Sequence, residues 1–315
     1  MPRFDVTIAG ELNLDLIFYG LPEELPPERE VLARDMKLTL GSSSAIVAHN
    51  LACLGSRVGF QSRIGVDEMG TVALDRLAAG GVDTSLVRRV SGSQTGLTVI
   101  LHHGGWRNIL TYPGTIAELT LSDLDFDYLS DSRHFHLSSF YLQTALRPHI
   151  KDLFRRLKAA GLSISLDTND DPENRWGDDL RDVLQQVDIL FPNENEARKI
   201  AGTDDLDLAL DRLATMVPLV VAKLGPKGAI ARRGEEKFVA PALKADVVDA
   251  VGAGDSFNAG FLHRYLLGAD LPTCLAWGNL AGALSTTRPG GTEAFRDREH
   301  RERFLRVEAP VLGAK

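Results

Sequence analysis

Cysteine is scarce in this sequence, and long hydrophobic runs are missing. The two cysteines among 315 residues, Cys53 and Cys274, lie far apart and belong to no CxxC or Cys/His cluster. A disulfide scaffold and a structural zinc site are therefore excluded, and a reducing compartment is favoured. No run of about 18 uncharged apolar residues exists, so we expect no membrane span. The N-terminal residues carry no cleavable signal pattern, and together these absences predict a cytoplasmic protein.

An excess of positive charge is also missing. Lys and Arg number 35 against 43 Asp and Glu, which gives a net charge of −8. Because phosphate backbones require a basic surface, we expect no nucleic-acid partner. The content of 44% hydrophobic and 25% charged residues is ordinary for a globular protein. At about 150 residues per domain, the length predicts one large domain or two modest ones.

Buried strands and helices alternate along most of the chain. Apolar, β-branched runs bounded by turn residues predict strands at Asp5–Ala9, Val58–Ser62, His134–Leu137, Ser163–Asp167, Ile189–Phe191, Leu219–Lys223 and Ala229–Arg232. Helical patterns lie between most of them, at Ser44–Leu54, Met69–Ala79, Leu146–Ala160, Asn193–Ala201 and Leu206–Met216. This alternation predicts an α/β fold with a doubly wound, mostly parallel sheet flanked by helices.

Two stretches break the alternation and predict a small β-sheet lid. Val31–Leu40 and Thr95–Thr111 have the period of strands, and the second folds back at His103-Gly104-Gly105 as a hairpin. We therefore assign residues 1–10, 41–94 and 113–315 to the α/β domain and residues 11–40 and 95–112 to the lid. No helix covers the lid, so its apolar face predicts a homodimer.

A glycine-rich turn opens a buried helix late in the chain. Phe257, Phe261 and Tyr265 recur every four residues, so one face of a helix starting near Gly254 packs inward. The first turn reads Gly252-Ala253-Gly254 and has almost no side chains. We call the backbone N–H groups of these three residues the amide nest, because they and the helix dipole would attract an anion.

Asp255 stands in the same turn as the amide nest. A carboxylate beside an anion site is suited to taking a proton from a hydroxyl while the nest neutralises charge on a transferred phosphoryl group. The alternative is an N-terminal helix acid that compensates the dipole, and spacing alone gives the two about even weight. A dinucleotide site is disfavoured, because the third glycine of GxGxxG is missing.

Motifs along nearly the whole chain resemble the ribokinase, or phosphofructokinase-B, family of sugar kinases. They are Gly10-Glu-Leu-Asn13-Leu-Asp15, Gly41-Ser-Ser-Ser-Ala45, Arg63-Ile-Gly65-Val-Asp67, Asn193-Glu-Asn-Glu196, Lys223-Leu-Gly225-Pro-Lys-Gly228, Asp249-Ala-Val-Gly-Ala-Gly-Asp255 and Arg288-Pro-Gly290-Gly291. The resemblance implies a ribokinase-like fold and an ATP-dependent kinase that phosphorylates a small carbohydrate.

The resemblance also implies a role for individual residues. The catalytic residues are Asp255, as the base, and Gly252, Ala253 and Gly254, whose backbone N–H groups form the anion site. The substrate-binding residues are Asn13, Asp15, Gly41, Ser42, Ser43 and Arg107, and the nucleotide-binding residues are Asn193, Lys223, Gly225, Gly228 and Asn279. Glu196 would orient hydrated Mg²⁺, and the K⁺ site would comprise Asp249, Val251, Ser285 and Gly290.

Three positions depart from the family pattern. Ser42 and Ile46 replace a Gly and a substrate-contacting Asn, so the acceptor differs from ribose or Ser42–Ser44 supply the missing contact. Lys223 replaces a Thr or Ser and would serve as a cation near phosphate. The stretch Leu166–Trp176 resembles an Asp-x-Asn…Arg…Trp element with a displaced Arg, and no role is assigned to it.

Several alternatives stay open at this stage. A nucleoside acceptor is the second hypothesis, because Ile46 would leave a more apolar wall. A non-catalytic sugar- or nucleotide-binding regulator is the third, although it would be expected to lack the base or the nest. Asn193 and Glu196 also have the spacing of a helix capping box. Arg107 would close over a substrate or end a solvated hairpin.

Overall fold

The structure is a computed structural model that describes residues 1–103 and 106–309. Its strands lie at β1 (Phe4–Ala9), β2 (Leu14–Leu21), β3 (Asp35–Leu40), β4 (Val58–Gln61), β5 (Arg63–Gly65), β6 (Arg88–Val90), β7 (Leu97–His103), β8 (Trp106–Tyr112), β9 (Ser132–Leu137), β10 (Ser163–Leu166), β11 (Ile189–Leu190), β12 (Leu219–Lys223), β13 (Ala229–Arg233) and β14 (Glu236–Ala240). Gly104 and Gly105 of the expected hairpin bend lie outside the described residues.

The helices separate the strands of the larger sheet. They lie at α1 (Ser43–Cys53), α2 (Glu68–Ala79), α3 (Phe126–Ser130), α4 (Ile150–Ala159), α5 (Asp178–Leu184), α6 (Glu194–Ala201), α7 (Leu206–Ala214), α8 (Ala253–Leu266), α9 (Leu271–Thr286), α10 (Glu293–Arg296) and α11 (Arg298–Glu308). No helix of the described chain is long and apolar enough to cross a membrane.

The larger sheet has helices on both faces, as the alternation predicts. Within the described residues its order is β14-β13-β12-β11-β10-β9-β1-β4, and only the pairs β12–β13 and β13–β14 are antiparallel. Successive residues of β12 enter opposite cores: Val220 and Ala222 pack in one, Leu219 and Val221 in the other. Strands buried on both faces are typical of doubly wound sheets. The predicted fold class is confirmed, and the carboxyl ends of the parallel strands share one edge.

The second sheet, with the order β3-β2-β7-β8, belongs to the lid. Its two faces differ because side chains alternate along each strand. Ile17 and Ile100 are paired across β2 and β7 and pack with Val251 of the α/β domain. Their neighbours Phe18 and Leu101 line a cavity of about 820 Å³ on the other face. We call these the inner and outer faces of the lid; the domain boundaries stay a prediction.

The structure differs from the sequence expectations at several elements. β3 begins at Asp35 instead of Val31, because residues 31–34 line the outer cavity and do not join the ladder. Helix α4 begins at Ile150, after a 3₁₀ turn that contains Pro148. Strand β2 and helix α9 were not predicted. Helix α9 is buried almost all round, which removes the one-sided pattern that reveals an amphipathic helix.

Candidate active site

The first turn of α8 places the amide nest beside a second loop. Gly252 caps the helix with a φ of 71°, and a Cβ there would lie 2.5 Å from the Cα of Gly291. Only glycine fits this conformation and this contact. Phe257, Phe261 and Tyr265 stack successively along the inward face of α8, as their spacing predicts. Phe261 also packs edge-on against Phe191, which directly follows β11, so α8 lies against a strand end.

Asp255 is buried beside the nest, with 9% of its surface exposed. Burial raises the pKa of its carboxyl group to about 6; Asp167 adds to the rise, while Lys223 and a hydrogen bond from Ser43 oppose it. The group is therefore ionised at neutral pH and more basic than an ordinary aspartate. The Ser43 hydroxyl in turn accepts a hydrogen bond from Asn169 Nδ2 at 2.9 Å.

Asp15, at the start of β2, faces the same space. Burial raises its pKa to about 7, and the charges of Asp255 and Asp249 contribute. The chain has room for this carboxylate because Gly41 has no side chain: a Cβ at Gly41 would lie 2.1 Å from Asp15 Oδ1. Asn13 Nδ2 donates to Leu14 O at 3.1 Å. Three of the predicted substrate residues therefore adjoin one another where β1 and β3 end.

The start of α1 is held by a carboxylate that the sequence analysis did not single out. Glu11 accepts hydrogen bonds from Ser44 N at 3.1 Å and from Ser44 Oγ at 2.7 Å. Ser42 caps α1: its hydroxyl accepts from Ala45 N at 3.1 Å and donates to Glu11 O. The Ser42 hydroxyl is thus engaged in the helix cap. Ser43, the next residue, is the one that reaches Asp255.

Ile46 does not form an apolar wall around an acceptor. It is 2% exposed, and a Cβ on Gly291 would lie 2.6 Å from its Cδ1 atom. The side chain packs beneath the loop that carries the amide nest. The expectation of a more apolar pocket at this position is therefore wrong, because the helix turns Ile46 into the interior. Asn50, one turn further, donates to Ser256 Oγ at 2.9 Å and to Gly291 O at 3.0 Å.

Asn193 and Glu196 form the capping box that their spacing allows. Asn193 Oδ1 accepts from Glu196 N at 2.9 Å, and Glu196 Oε2 accepts from Asn193 N at 2.8 Å. Glu196 is 5% exposed, and burial together with the charge of Asp167 raises its pKa to about 7. The charge of Lys223 opposes this rise only in part, and a buried carboxylate with a raised pKa suits a position close to a further cation. The capping role and a magnesium role are compatible.

Lys223 ends β12 and contacts Asp167 at the end of β10. The side chain of Lys223 is 12% exposed and that of Asp167 is 1% exposed. Asp167 Oδ2 also accepts a hydrogen bond from Asn258 Nδ2 at 2.6 Å. Asp167 and Asn258 were missed by sequence reasoning. The Asp-x-Asn element at residues 167–169 was the available signal in the sequence, but it does not indicate which side chain Asp167 contacts.

The remaining nucleotide-binding candidates surround the exit of β14. Gly225 and Gly228 have φ values of 55° and 99°, and a Cβ at Gly228 would lie 2.1 Å from Ala240 O. Asn279 Nδ2 donates to Ala240 O at 3.1 Å and to Pro241 O at 2.9 Å. The glycine loop and α9 therefore both hold the β14 exit.

Asp249 is linked to the lid as well as to its own loop. Its carboxylate accepts hydrogen bonds from Val251 N at 3.0 Å, Gly290 N at 3.0 Å and the Tyr19 hydroxyl at 2.7 Å. The His102 ring stacks on Tyr19, and His102 Nε2 lies 3.7 Å from Asp249 Oδ1. Three of the four predicted K⁺ ligands meet here.

Ser285 and Arg107 lie further from these contacts. Ser285 is buried in α9, with its Oγ 3.5 Å from Gly291 O. Arg107 is exposed on β8 directly opposite His102, which places it on the inner face of the lid. No contact between Arg107 and Asp255 is present in the described structure. Within the described residues, no group of three or more His, Cys, Asp and Glu side chains could hold a metal by itself.

Comparisons with known proteins show the family to which the chain is similar. A family model described as pfkB family carbohydrate kinase matches residues 3–298. An ATP-dependent ribose-1-phosphate kinase from Halopiger xanaduensis is 30% identical over 299 residues, which cover 92% of this chain and 94% of that protein. A 2-dehydro-3-deoxygluconokinase from Bacillus subtilis is 30% identical over 292 residues, covering 88% of this chain and 89% of that protein.

Solved structures share the whole architecture. One, a protein from E. coli described as a ribokinase II in complex with ATP and Mg²⁺, superposes with a TM-score of 0.84 at 26% identity. The match covers 96% of this chain and 99% of that one. A match over 96% of the chain includes both the lid and the α/β domain.

Proposed function

The chain belongs to the pfkB family of carbohydrate kinases and is an ATP-dependent sugar kinase, and we propose that Asp255 is its general base. The γ-phosphoryl group of ATP is transferred to a hydroxyl group of a small sugar. The observation that carries the proposal is the position of the Asp255 carboxylate, buried in the first turn of α8 and hydrogen-bonded by Ser43. Of the three nest N–H groups, that of Ala253 makes a long bond to Ala250 O at 3.3 Å. A buried, ionised carboxylate beside the N-terminus of a helix suits proton abstraction coupled to charge stabilisation.

The proposed step balances protons and electrons. The acceptor hydroxyl gives its proton to a carboxylate oxygen of Asp255, and its oxygen forms a bond to the γ-phosphorus. The bond between that phosphorus and the bridging oxygen breaks, and its electron pair stays on ADP. The amide nest at Gly252, Ala253 and Gly254 stabilises the negative charge on the transferred group.

Nucleotide and metal binding are assigned to the loops around β12. Asn193, Gly225, Gly228 and Asn279 would line the nucleotide site, and Glu196 would hold hydrated Mg²⁺ through water. Glu196 fits this role, because it is buried with a raised pKa and a cation would relieve the charge that it shares with Asp167. Bound Mg²⁺ would neutralise the triphosphate.

A potassium ion fits beside Asp249. A carboxylate offers about four lone-pair sites, and the oxygens of Asp249 accept from three donors. The remaining site, with backbone carbonyls at Val251, Ser285 and Gly290, would hold the ion. Its charge would stiffen the loop that carries the nest.

The acceptor would lie between the lid and the strand ends. Asn13 and Asp15 would bind its hydroxyl groups, together with the adjoining residues Gly41, Ser42 and Ser43. Arg107, on the inner face, would close over an anionic substituent. A nucleoside acceptor remains the second candidate, but it has lost the support of Ile46, which is packed in the interior. We also propose that the outer face of the lid joins two copies of the chain.

Replacing the base is the direct test. We expect Asp255→Asn to lower kcat by about 10²–10⁴-fold while leaving ATP binding largely intact, because only the proton acceptor is lost. Asp270→Asn is the matched control: Asp270 caps α9 by accepting from Thr273 N at 2.9 Å. Near wild-type turnover by Asp255→Asn would show that this aspartate only compensates the helix dipole.

The acceptor class is decided by a substrate panel. Ribose, fructose, 2-keto-3-deoxygluconate, ribose 1-phosphate, adenosine and inosine are compared by ADP release, each with and without K⁺. The proposal expects the highest kcat/KM with a sugar or sugar derivative. A preference for adenosine or inosine would establish the nucleoside alternative.

A further inference from the structure

Lys223 is a buried cation that touches the centre of the proposed site. Its ammonium group contacts Asp167 Oδ2. Burial disfavours its charge, yet the carboxylates of Asp167, Glu196 and Asp255 raise the pKa of Lys223 above its usual value. The lysine is therefore charged at neutral pH and is surrounded by three acids.

Asp167 is held in one orientation by further contacts. Asn258 Nδ2 donates to its Oδ2 at 2.6 Å, and Asn169 N donates to its Oδ1 at 3.1 Å. Asn258 lies on α8, one turn after Asp255, so Asp167 is tied to the helix that carries the base. A carboxylate fixed in this way also fixes the end of the lysine side chain.

The ammonium group lies beside the amide nest. A Cβ built on Gly254 would lie 3.7 Å from Lys223 Nζ and 3.7 Å from Lys223 Cδ. The space above Gly254 is therefore bordered by the lysine side chain. An anion bound at the start of α8 would meet the nest on one side and the ammonium group on the other.

We propose that Lys223 contacts the transferred phosphoryl group and that Asp167 is the positioning residue that holds the lysine at the nest. This inference rests on the proposed kinase function. Four buried acids face this space, Asp15, Asp167, Glu196 and Asp255. They would repel a triphosphate unless a cation were present, and Lys223 supplies one directly at the nest. A hydroxyl donor such as Thr or Ser at this position would not carry that charge.

The two residues act on the base in opposite directions. The charge of Lys223 lowers the pKa of Asp255, and that of Asp167 raises it, while Glu11 also raises it. Asp15 also interacts with Asp255. Removing Lys223 or Asp167 should therefore move the acid limb of activity in opposite directions, because both charges act on Asp255; contact of Lys223 with the phosphoryl group is tested separately by kcat and nucleotide binding.

The test uses Lys223→Met, Asp167→Asn and the double variant. We expect Lys223→Met to lower kcat by about 10²-fold, as removal of one preorganised donor does. The pH at which kcat/KM falls to half on the acid side should rise by about one unit in Lys223→Met, because a positive charge near Asp255 is lost. The same pH should fall in Asp167→Asn, because a negative charge is lost. Lys158→Met is the control, because Lys158 Nζ pairs with Asp188 Oδ1 at 2.6 Å at the opposite edge of the sheet.

Stability and binding separate the outcomes. The double variant removes both charges, so we expect it to regain the melting temperature lost in Lys223→Met without regaining kcat. Calorimetry should show that Lys223→Met weakens binding of a non-hydrolysable ATP analogue relative to ADP. An unchanged preference between these nucleotides, or recovery of kcat in the double variant, would overturn the proposal.

Failure of the proposed function has a different signature. If the wild-type protein transfers phosphate to no acceptor of the panel, the kinase proposal for Asp255 fails. The preference for the ATP analogue over ADP still tests Lys223 in that case, since it requires no acceptor.

Discussion

The carboxylates of the candidate site differ from ordinary surface carboxylates because they are buried. Asp255, Asp15 and Glu196 have pKa values of about 6, 7 and 7, and burial is the first cause in each case. Because these pKa values are raised in the folded state, the free energy of unfolding decreases as the pH rises from the ordinary values, 3.8 for Asp and 4.5 for Glu, to the raised ones. The ligand-free site therefore holds destabilised negative charge, which bound cations and hydrogen-bond donors would relieve.

The pKa of Asp255 predicts the pH dependence of activity. The base must be ionised, so kcat/KM should fall as the pH decreases through about 6, where half of the activity remains. Initial rates between pH 4.5 and 8, with circular dichroism to confirm that the fold persists, would measure this limb. A half-point near the ordinary aspartate value would contradict a buried Asp255 as base.

At the scale of elements, the lid is linked to the loop that precedes α8. Tyr19 of β2 donates to Asp249, Val251 packs on Ile17 and Ile100, and His102 of β7 stacks on Tyr19. Movement of the lid would therefore displace residues that lie one to three positions before the amide nest. Lids that complete a site in this way exclude water and position the acceptor.

Tyr19→Phe should separate the lid from this loop. The variant loses one hydrogen bond to a carboxylate, and we expect the KM for the acceptor to rise about tenfold while the KM for ATP changes little. Steady-state kinetics with both substrates varied would show the split. Tyr112→Phe is the control, since Tyr112 is 53% exposed and lies on the outer face. Equal effects of the two changes would argue against the link.

At the scale of the whole molecule, one apolar surface lacks a partner within the described chain. The register of the lid strands places Leu16, Leu38, Val99 and Leu110 on its outer face. Leu110 and Tyr112 are each 53% exposed. The α/β domain covers the inner face and also the part of the outer face near Leu38 and Leu97. A second lid is the complementary surface that we propose for the exposed remainder around Leu110 and Tyr112.

Leu110→Glu should disrupt this association. A charge at the centre of an apolar contact is left without a partner, so we expect a wild-type dimer and a monomeric variant in sedimentation velocity at micromolar concentration. Leu208→Glu is the control, because Leu208 is 43% exposed on α7, outside the lid. A monomeric wild-type protein would rule out the proposed dimer.

Contiguous features could be predicted from the sequence. The amide nest, Asp255 and the inward face of α8 lie within one segment, and the capping box spans four residues, so local spacing specifies them. The strand–helix alternation likewise predicted the layers of the α/β fold, because burial on both faces leaves short apolar strands in any such sheet. These properties depend on neighbours in the chain.

Contacts between distant segments were decided by the tertiary structure alone. Lys223 and Asp167 are 56 residues apart, Asn258 and Asp167 are 91 apart, and Tyr19 and Asp249 are 230 apart. No local pattern pairs them; the parallel strands bring their ends to one edge, and the lid folds over that edge. The local sequence thus determined the amide nest and its aspartate, because their positions depend on neighbours in the chain. The tertiary structure decided which charged side chains surround them, because the strand ends pack together at one edge of the sheet.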